Sequence, residues 1–241
     1  MEEVEEEKPR SENEMSNNNI SLAQEKRIEE NSKMCMSFSN VPEGYKGQFV
    51  AFLKSKCVKI STDPICDPKA THLVAQKMSI SEKMLGSMAS GKWILHPSYV
   101  EACMAAKEIL SNFTDFEWGN PENDFMQKIN ANQQQLAKTA FRLRQFISKN
   151  PSKGPFTGFR VIIDTNESRE FFARLILAGK GIVIENAKHP YIDAKGATHC
   201  LTVINKLSKR KLYYEALARQ RVAVVEPRYI YDCLMPSKLG I

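Results

Sequence analysis

Thr71-His72-Leu73-Val74 returns later in the chain as Thr198-His199-Cys200-Leu201. Each copy is followed by a polar stretch and then an amphipathic segment, Glu82 to Ser90 and Lys209 to Arg219. A short apolar run comes next, Trp93-Ile94-Leu95 in one copy and Val222-Ala223-Val224-Val225 in the other. A proline then opens a helical stretch: Pro97-Ser98-Tyr99-Val100-Glu101-Ala102-Cys103, and Pro227-Arg228-Tyr229-Ile230-Tyr231-Asp232-Cys233. Four matched features in the same order identify an internal repeat, the first property to establish in an unknown chain.

Upstream the repeat continues. A strand (Met36 to Phe38; Phe159 to Ile163) leads into a helix (Glu43 to Lys54; Ser168 to Ala178) and a second strand (Val58 to Ile60; Gly181 to Ile184). Each unit therefore reads strand–helix–strand–strand–helix–strand–helix, and such alternation implies a mainly parallel four-stranded sheet flanked by helices, an α/β fold. Tyr99 with Cys103, and Tyr229 with Cys233, sit four apart on one helical face, where they should pack on the sheet as core.

The two units are separated by residues 104–155, too long for a bare loop. Phe125, Ile129, Leu136, Ala140, Leu143 and Ile147 recur at helical spacing, and Asn150-Pro151-Ser152-Lys153-Gly154-Pro155 ends that pattern. The organisation expected is a disordered acidic tail over 1–33, a first domain over 34–110, a linker with a helix over 111–155 and a second domain over 156–241.

The chain has 241 residues, 42% of them hydrophobic and 26% charged, which suits one large or two small folded domains. Its apolar runs are far short of the roughly 20 residues of a membrane span. The opening Met1-Glu2-Glu3-Val4-Glu5-Glu6-Glu7 lacks the pattern of a secretory signal, so a soluble intracellular protein is expected, with no membrane partner. Cys35, Cys57, Cys66, Cys103, Cys200 and Cys233 form no CxxC pair, and the four histidines lack zinc-ligand spacing. Free thiols in a reducing compartment, and no metal or other cofactor, are the expectation. No Walker loop, GxSxG elbow or metal triad is present, and enzymatic activity is not expected. Net charge is +6 overall, but residues 1–33 hold ten Glu against five Lys and Arg, a net of −5, which leaves +11 for the rest. A basic body suits an anionic partner: nucleic acid, a phosphoprotein or an acidic peptide.

One anion site can be built from the residues. The chain leaves its first strand at Ser39-Asn40, and Pro42 is placed to open the next helix. Ser39 Oγ and the Asn40 backbone N–H then lie near a helix start, where free N–H groups and the helix dipole favour negative charge. Ser79-Ile80-Ser81-Glu82 fits a capping box of Ser79 with Glu82, which puts Lys83 in the first turn of the following helix. A cation there opposes the dipole, at a cost of a few tenths of a kcal/mol. An anion held between the two helix starts reverses that sign. In a parallel sheet both starts gather on one edge. Ser39 as a plain turn residue and Lys83 as a solvated lysine are the alternatives.

The whole pattern resembles a tandem pair of BRCT domains, a family marked by a serine turn after the first strand, a Thr-His-aliphatic strand and an aromatic-aliphatic-x-x-Cys helix; two copies of the repeat joined by a helical linker look like such a pair. Tyr99 and Tyr229 stand where that family usually has Trp. Gly91 to Cys103, Phe116-Glu117-Trp118-Gly119, Leu136 to Arg142 and Ser168-Arg169-Glu170 resemble more narrowly the C-terminal pair of the DNA topoisomerase II-binding protein family, a nuclear scaffold of replication and checkpoint signalling. The resemblance implies a phosphopeptide-binding module in the nucleus. It implies phosphate contacts from Ser39, the Asn40 N–H and Lys83. It adds Lys46, where the narrower family has Arg, and Arg169 as a reader of the peptide beyond the phosphate. Lys at 46 keeps the charge and loses the bidentate fork. Arg169 has a local alternative, pairing with Glu167 or Glu170. Asp164-Thr165-Asn166-Glu167 carries two acids after the second unit's first strand, so the first unit is the expected phosphate reader. Lys209-Arg210-Lys211 is read as solvated surface. The ligand implied is a phosphorylated Ser/Thr motif in a DNA-repair helicase or checkpoint protein. DNA binding and a phosphate-independent interaction scaffold are the alternatives.

Overall fold

The computed structural model describes residues 12–165, 168–184, 194, 196–203 and 211–235, with side chains described from residue 22 onward. Helix α1 (Glu12–Lys33) precedes a first unit made of β1 (Cys35–Ser39), α2 (Glu43–Ser55), β2 (Lys59–Ile60), β3 (His72–Ala75), α3 (Glu82–Ala89), β4 (Trp93–Leu95) and α4 (Ser98–Ala106). Two 3-10 turns, Phe113–Phe116 and Asp124–Lys128, lead to α5 (Ala131–Lys149). The second unit comprises β5 (Arg160–Ile163), α6 (Arg169–Ala178), β6 (Ile182–Val183), β7 (His199–Leu201), α7 (Lys211–Arg219), β8 (Ala223–Val225) and α8 (Pro227–Leu234).

Both sheets are four-stranded and parallel throughout, in the orders β2-β1-β3-β4 and β6-β5-β7-β8. The repeated Thr-His pair has a structural task in each. Thr71 Oγ accepts the Cys35 N–H at 2.9 Å and meets His72 Nδ1 at 2.7 Å; Thr198 does the same with Arg160 N–H and His199 Nδ1 at the same distances. Each threonine thus ties the start of a central strand to its neighbour, where the parallel ladder leaves backbone groups to satisfy.

Side chains alternate across each sheet. In the first unit Met36, Phe38, Val74 and Leu95 face α2 and α4, burying Phe49, Leu53, Tyr99 and Cys103. Leu73, Ala75 and Ile94 face the other way, onto Met84, Leu85 and Met88 of α3. That second layer does not end at the unit's edge. It runs on through Leu136, Ala137 and Ala140 of α5 to Phe172, Leu175 and Ile176 of α6 and Ile230 and Leu234 of α8. The two units and the linker helix therefore share one apolar core.

The linker also completes the first sheet. Trp118 N–H donates to Ile94 O at 2.9 Å and His96 N–H to Phe116 O at 2.8 Å, laying residues 116–118 antiparallel along the free edge of β4. Trp118 is buried and its indole N–H donates to Ala75 O at 2.8 Å. Gly119 follows with φ +94°, and a Cβ there would collide with the Ala137 carbonyl of α5.

Three expectations are corrected. Residues 1–33 are expected to be disordered, yet α1 covers Glu12–Lys33; residues 1–11 lie outside the described residues. Glu, Gln, Ala, Lys and Arg are good helix formers. The end of α1 is tethered to the first unit by Arg27–Glu108 at 2.6 Å and by Asn31 Nδ2 donating to Lys56 O at 3.0 Å. The linker helix starts at Ala131 rather than Phe125, because Asn130 and Gln133 form a reciprocal capping box that fixes its first turn. Phe125 belongs to the preceding 3-10 turn instead and stacks on His96 at 4.5 Å. Finally, Tyr99 and Cys103 are fully buried, but Tyr229 is 37% exposed and Cys233 only half-buried. Phe113 and Phe116 lie against Tyr99 with ring centroids 5.4 and 5.6 Å away. No described segment covers Tyr229 in that way; it has the rings of Phe159 and His199 for neighbours.

Candidate functional site

β1 ends at Ser39, and Asn40 turns the chain in the left-handed region, φ +56°, which Asn tolerates better than most residues. Pro42 is the N-cap of α2, and no side chain caps the N–H groups of its first turn. The Asn40 side chain bridges two loops: Nδ2 donates to Ser39 Oγ and to Ser79 Oγ, each at 3.2 Å. Ser79 belongs to the β3–α3 loop and is not the cap of α3. Ser81 is, accepting the Met84 N–H at 3.3 Å, because the helix begins at Glu82 and the cap must immediately precede it.

Lys83 is therefore the second residue of α3. Its Nζ reaches back between the loops, donating to Asp63 O at 2.6 Å and to Phe38 O, one residue before Ser39, at 3.4 Å. It forms no ion pair with a described residue. Burial pushes its pKa down; Asp63 opposes this, and the charge of Lys46 adds to it. A half-buried cation beside a helix start that no side chain caps makes an anion-attracting corner. Lys46 projects from the first turns of α2 and pairs with Glu43 Oε1 at 2.9 Å.

The structure thus brings Ser39, Asn40 and Lys83 together, with Lys46 near enough to be felt. Ser79 joins the cluster and Glu43 guards one of its cations; sequence reasoning assigns neither to the site. Ser79 fits a capping pattern that the helix start one residue past Ser81 rules out, and Glu43 looks like an ordinary first-turn acid.

Arg169 opens α6, is exposed, and donates from Nη1 to Ile163 O. Glu170 pairs instead with Arg174, at 3.3 Å; Glu167 lies outside the described residues. Among the described residues no hydrogen bond or ion pair joins Arg169 to the Ser39–Lys83 cluster. The connection between the units comes one turn later, where Arg174 Nε meets Glu82 Oε1, the neighbour of Lys83, at 2.6 Å. Beside that ion pair a cavity of about 380 Å³ opens between the units, with Asp63, Cys66, Gly86 and Leu175 among its walls. α5 does not line it.

Among the described residues the second unit shows no matching corner. Sheet register puts Asp164 where the first unit has Ser39, since Ile163 pairs with Leu201 as Phe38 pairs with Val74. Counting back from Ala223 and Trp93, which pair with His199 and His72, puts Tyr213 opposite Lys83. The Asp164 carboxylate accepts the Tyr214 hydroxyl at 2.8 Å. An acid and a phenol replace a hydroxyl and an ammonium, which removes the attraction for phosphate. Asn166, Glu167, Lys209 and Arg210 lie outside the described residues; Lys211 pairs with Glu215 at 3.8 Å. Among the described residues no group of three or more His, Cys, Asp or Glu could hold a metal ion, and no helix is long and apolar enough to cross a membrane.

Two parallel four-stranded units of the same strand order, joined by one helix and one core, match a solved structure: the BRCT5-BRCT6 domains of S. pombe Brc1, with TM-score 0.55 at 15% identity, covering 84% of this chain and 92% of that one. The fold is that of a tandem BRCT pair. No protein-family model matches the sequence. Among curated proteins, the chain is 27% identical over 161 residues to human SMC5-SMC6 complex localization factor protein 1, and 26% identical to the mouse protein of that name. Each alignment covers 66% of this chain and 14% of the relative, so the chain spans a small part of the length of the proteins it matches.

Proposed function

We propose that this tandem BRCT pair is a phosphopeptide-binding module, with the phosphate of a phosphoserine or phosphothreonine held in the first unit by Ser39, Asn40, Lys83 and Lys46. The observation that carries the reading is Lys83: a half-buried ammonium whose hydrogen-bond partners among the described residues are carbonyls, beside a hydroxyl–amide cluster and a helix start that no side chain caps. A phosphate brings close to two negative charges and three acceptor oxygens to such a corner. The 380 Å³ cavity next to Glu82 and Arg174 is where residues flanking the phosphate would bind. Arg169, at the mouth of the second unit, is proposed to read the peptide beyond it.

The setting proposed is the nucleus, in DNA repair and replication-checkpoint signalling, with a phosphorylated repair helicase or checkpoint protein as partner. Support comes from likeness to a localization factor of the SMC5-SMC6 complex and from the BRCT fold. The narrower kinship with the DNA topoisomerase II-binding protein family rests on Gly91 to Cys103 and Phe116 to Gly119 and is part of the same proposal. No catalytic role is proposed.

The test is a degenerate phosphoserine/phosphothreonine peptide library presented beside its dephosphorylated twin, with a DNA duplex as a third arm. Retention of phosphorylated sequences alone is expected. Equal retention of both peptide forms favours a phosphate-independent scaffold. Duplex binding that falls steeply with salt and ignores the peptides favours DNA.

A further inference from the structure

Building on the phosphate reading above, we propose that Ser79, in the loop between β3 and α3, is a further phosphate ligand, and that its hydroxyl makes the pocket selective for a phosphomonoester over a carboxylate.

The argument is an accounting of protons. Asn40 Nδ2 carries two hydrogens, and two hydroxyl oxygens, Ser39 Oγ and Ser79 Oγ, each lie 3.2 Å from it. Both hydroxyls are therefore acceptors from the same amide. Neither donates its own proton to any described residue, since Asn40 is the only side-chain partner of each. Two uncommitted O–H groups, on half-buried Ser39 and Ser79, thus flank the amide of exposed Asn40.

Ser79 has no structural duty that accounts for its hydroxyl. Ser81 caps α3, and among the described residues the only other bond of Ser79 is its carbonyl accepting the Ser81 N–H at 3.0 Å. The Lys83 ammonium, four residues on, already faces Phe38 O beside Ser39. Hydroxyl, hydroxyl and ammonium come from three directions: the end of β1, the β3–α3 loop and the first turn of α3.

A phosphomonoester presents three terminal oxygens, each able to accept more than one hydrogen bond, and close to two charges to the Ser39 and Ser79 hydroxyls, the Asn40 N–H and the Lys83 and Lys46 ammoniums. A carboxylate presents two oxygens and one charge, so it engages fewer of these donors and loses charge-assisted hydrogen bonds. The pocket should therefore discriminate against Asp or Glu in place of the phosphorylated residue, and Ser79 is the residue that sharpens this choice. The exposed side chain of Ile80, 69% accessible, then lies at the rim, where it can meet an apolar residue of the ligand.

The experiment compares the full chain with its Ser79→Ala and Ser79→Thr variants. The probe is a phosphoserine peptide drawn from the library above, with its dephosphorylated and glutamate-substituted forms alongside. Ser79→Ala should bind the phosphopeptide about tenfold more weakly, the worth of one hydrogen bond to a charged group, and leave the other two peptides unchanged. Ser79→Thr, which keeps the hydroxyl, should recover most of the loss. An Ala variant that binds the phosphopeptide like wild type overturns the proposal while leaving the phosphate reading intact. If wild type itself ignores phosphorylation, that reading fails, and inorganic phosphate decides the role of Ser79. Added phosphate should then shift the Asn40 and Ser79 amide signals in wild type but not in Lys83→Ala, and unmoved signals overturn the proposal.

Discussion

Charge at two residues of the first unit can be tested separately, Glu43 beside the pocket and His72 in the core. Glu43 pairs with Lys46 at 2.9 Å while 85% of its side chain is in water, so it is a weak internal competitor for any incoming anion. Glu43→Gln should tighten phosphopeptide binding about two- to threefold, because one cation is freed and one repulsive charge removed. Isothermal titration reads this directly, and weaker binding would place Lys46 outside the site. His72 makes a second test. It is buried under Phe113, its ring centroid 4.7 Å from that ring, and burial pushes its pKa down to about 4. The folded state thus prefers neutral His72, whereas the unfolded chain titrates near the ordinary value of about 6.5. Stability from this residue is present above about 6.5 and is lost as pH falls towards 4, by at most about 3 kcal/mol. Urea denaturation from pH 7.5 to 4.5 should show that loss, and a His72→Gln variant should show a flatter profile.

Among the elements, the linker helix shows what sequence can and cannot tell. Its existence follows from apolar spacing, and its end from Asn150-Pro151. Its anchorage does not follow, because no pattern announces that Glu117 and Arg144 will meet. Arg144 binds Glu117 with two hydrogen bonds of 2.7 and 2.6 Å and lies 3.8 Å over the Trp93 ring. Both side chains are almost wholly buried. Burial raises the Glu117 pKa even against Arg144, a sign of how strongly desolvation acts there. Truncating one partner leaves the other charge buried alone, so Arg144→Ala should cost about 3–5 kcal/mol in chemical denaturation. A cost below 1 kcal/mol would mean that α5 is held by its apolar face alone. The same limit explains the misread cap of α3. Ser79 and Ser81 are both adequate capping residues, and only the position of the first helical turn, set by packing of Met84 and Leu85 on the sheet, chooses between them.

For the whole molecule, the repeat made the architecture legible: two sheets, their strand content and the intervening helix are written in matched Thr-His, Trp93-Ile94-Leu95 and Pro-led segments. The proximity of Ser39, Asn40 and Lys83 was legible because a parallel sheet must gather helix starts on one edge. What stayed hidden depends on contacts between distant segments: the shared core, the Arg174–Glu82 pair and the Asn40–Ser79 bridge. The shared core has a consequence. Because α3, α5, α6 and α8 bury one continuous layer, the units should unfold together. A single transition seen by both tryptophan fluorescence, which reports the first unit, and far-UV circular dichroism is expected. Two separated transitions would show the units to be independent.

The function proposed here reduces to one number, the coupling between the ligand's phosphate and the Lys83 ammonium. It is obtained from four dissociation constants: wild type and Lys83→Ala, each with a phosphopeptide and its dephosphorylated form. A coupling of about 1.5–3 kcal/mol, the strength of a charge-assisted hydrogen bond, is predicted. A coupling near zero, with phospho-selectivity unchanged by the loss of Lys83, would contradict a phosphate pocket in the first unit.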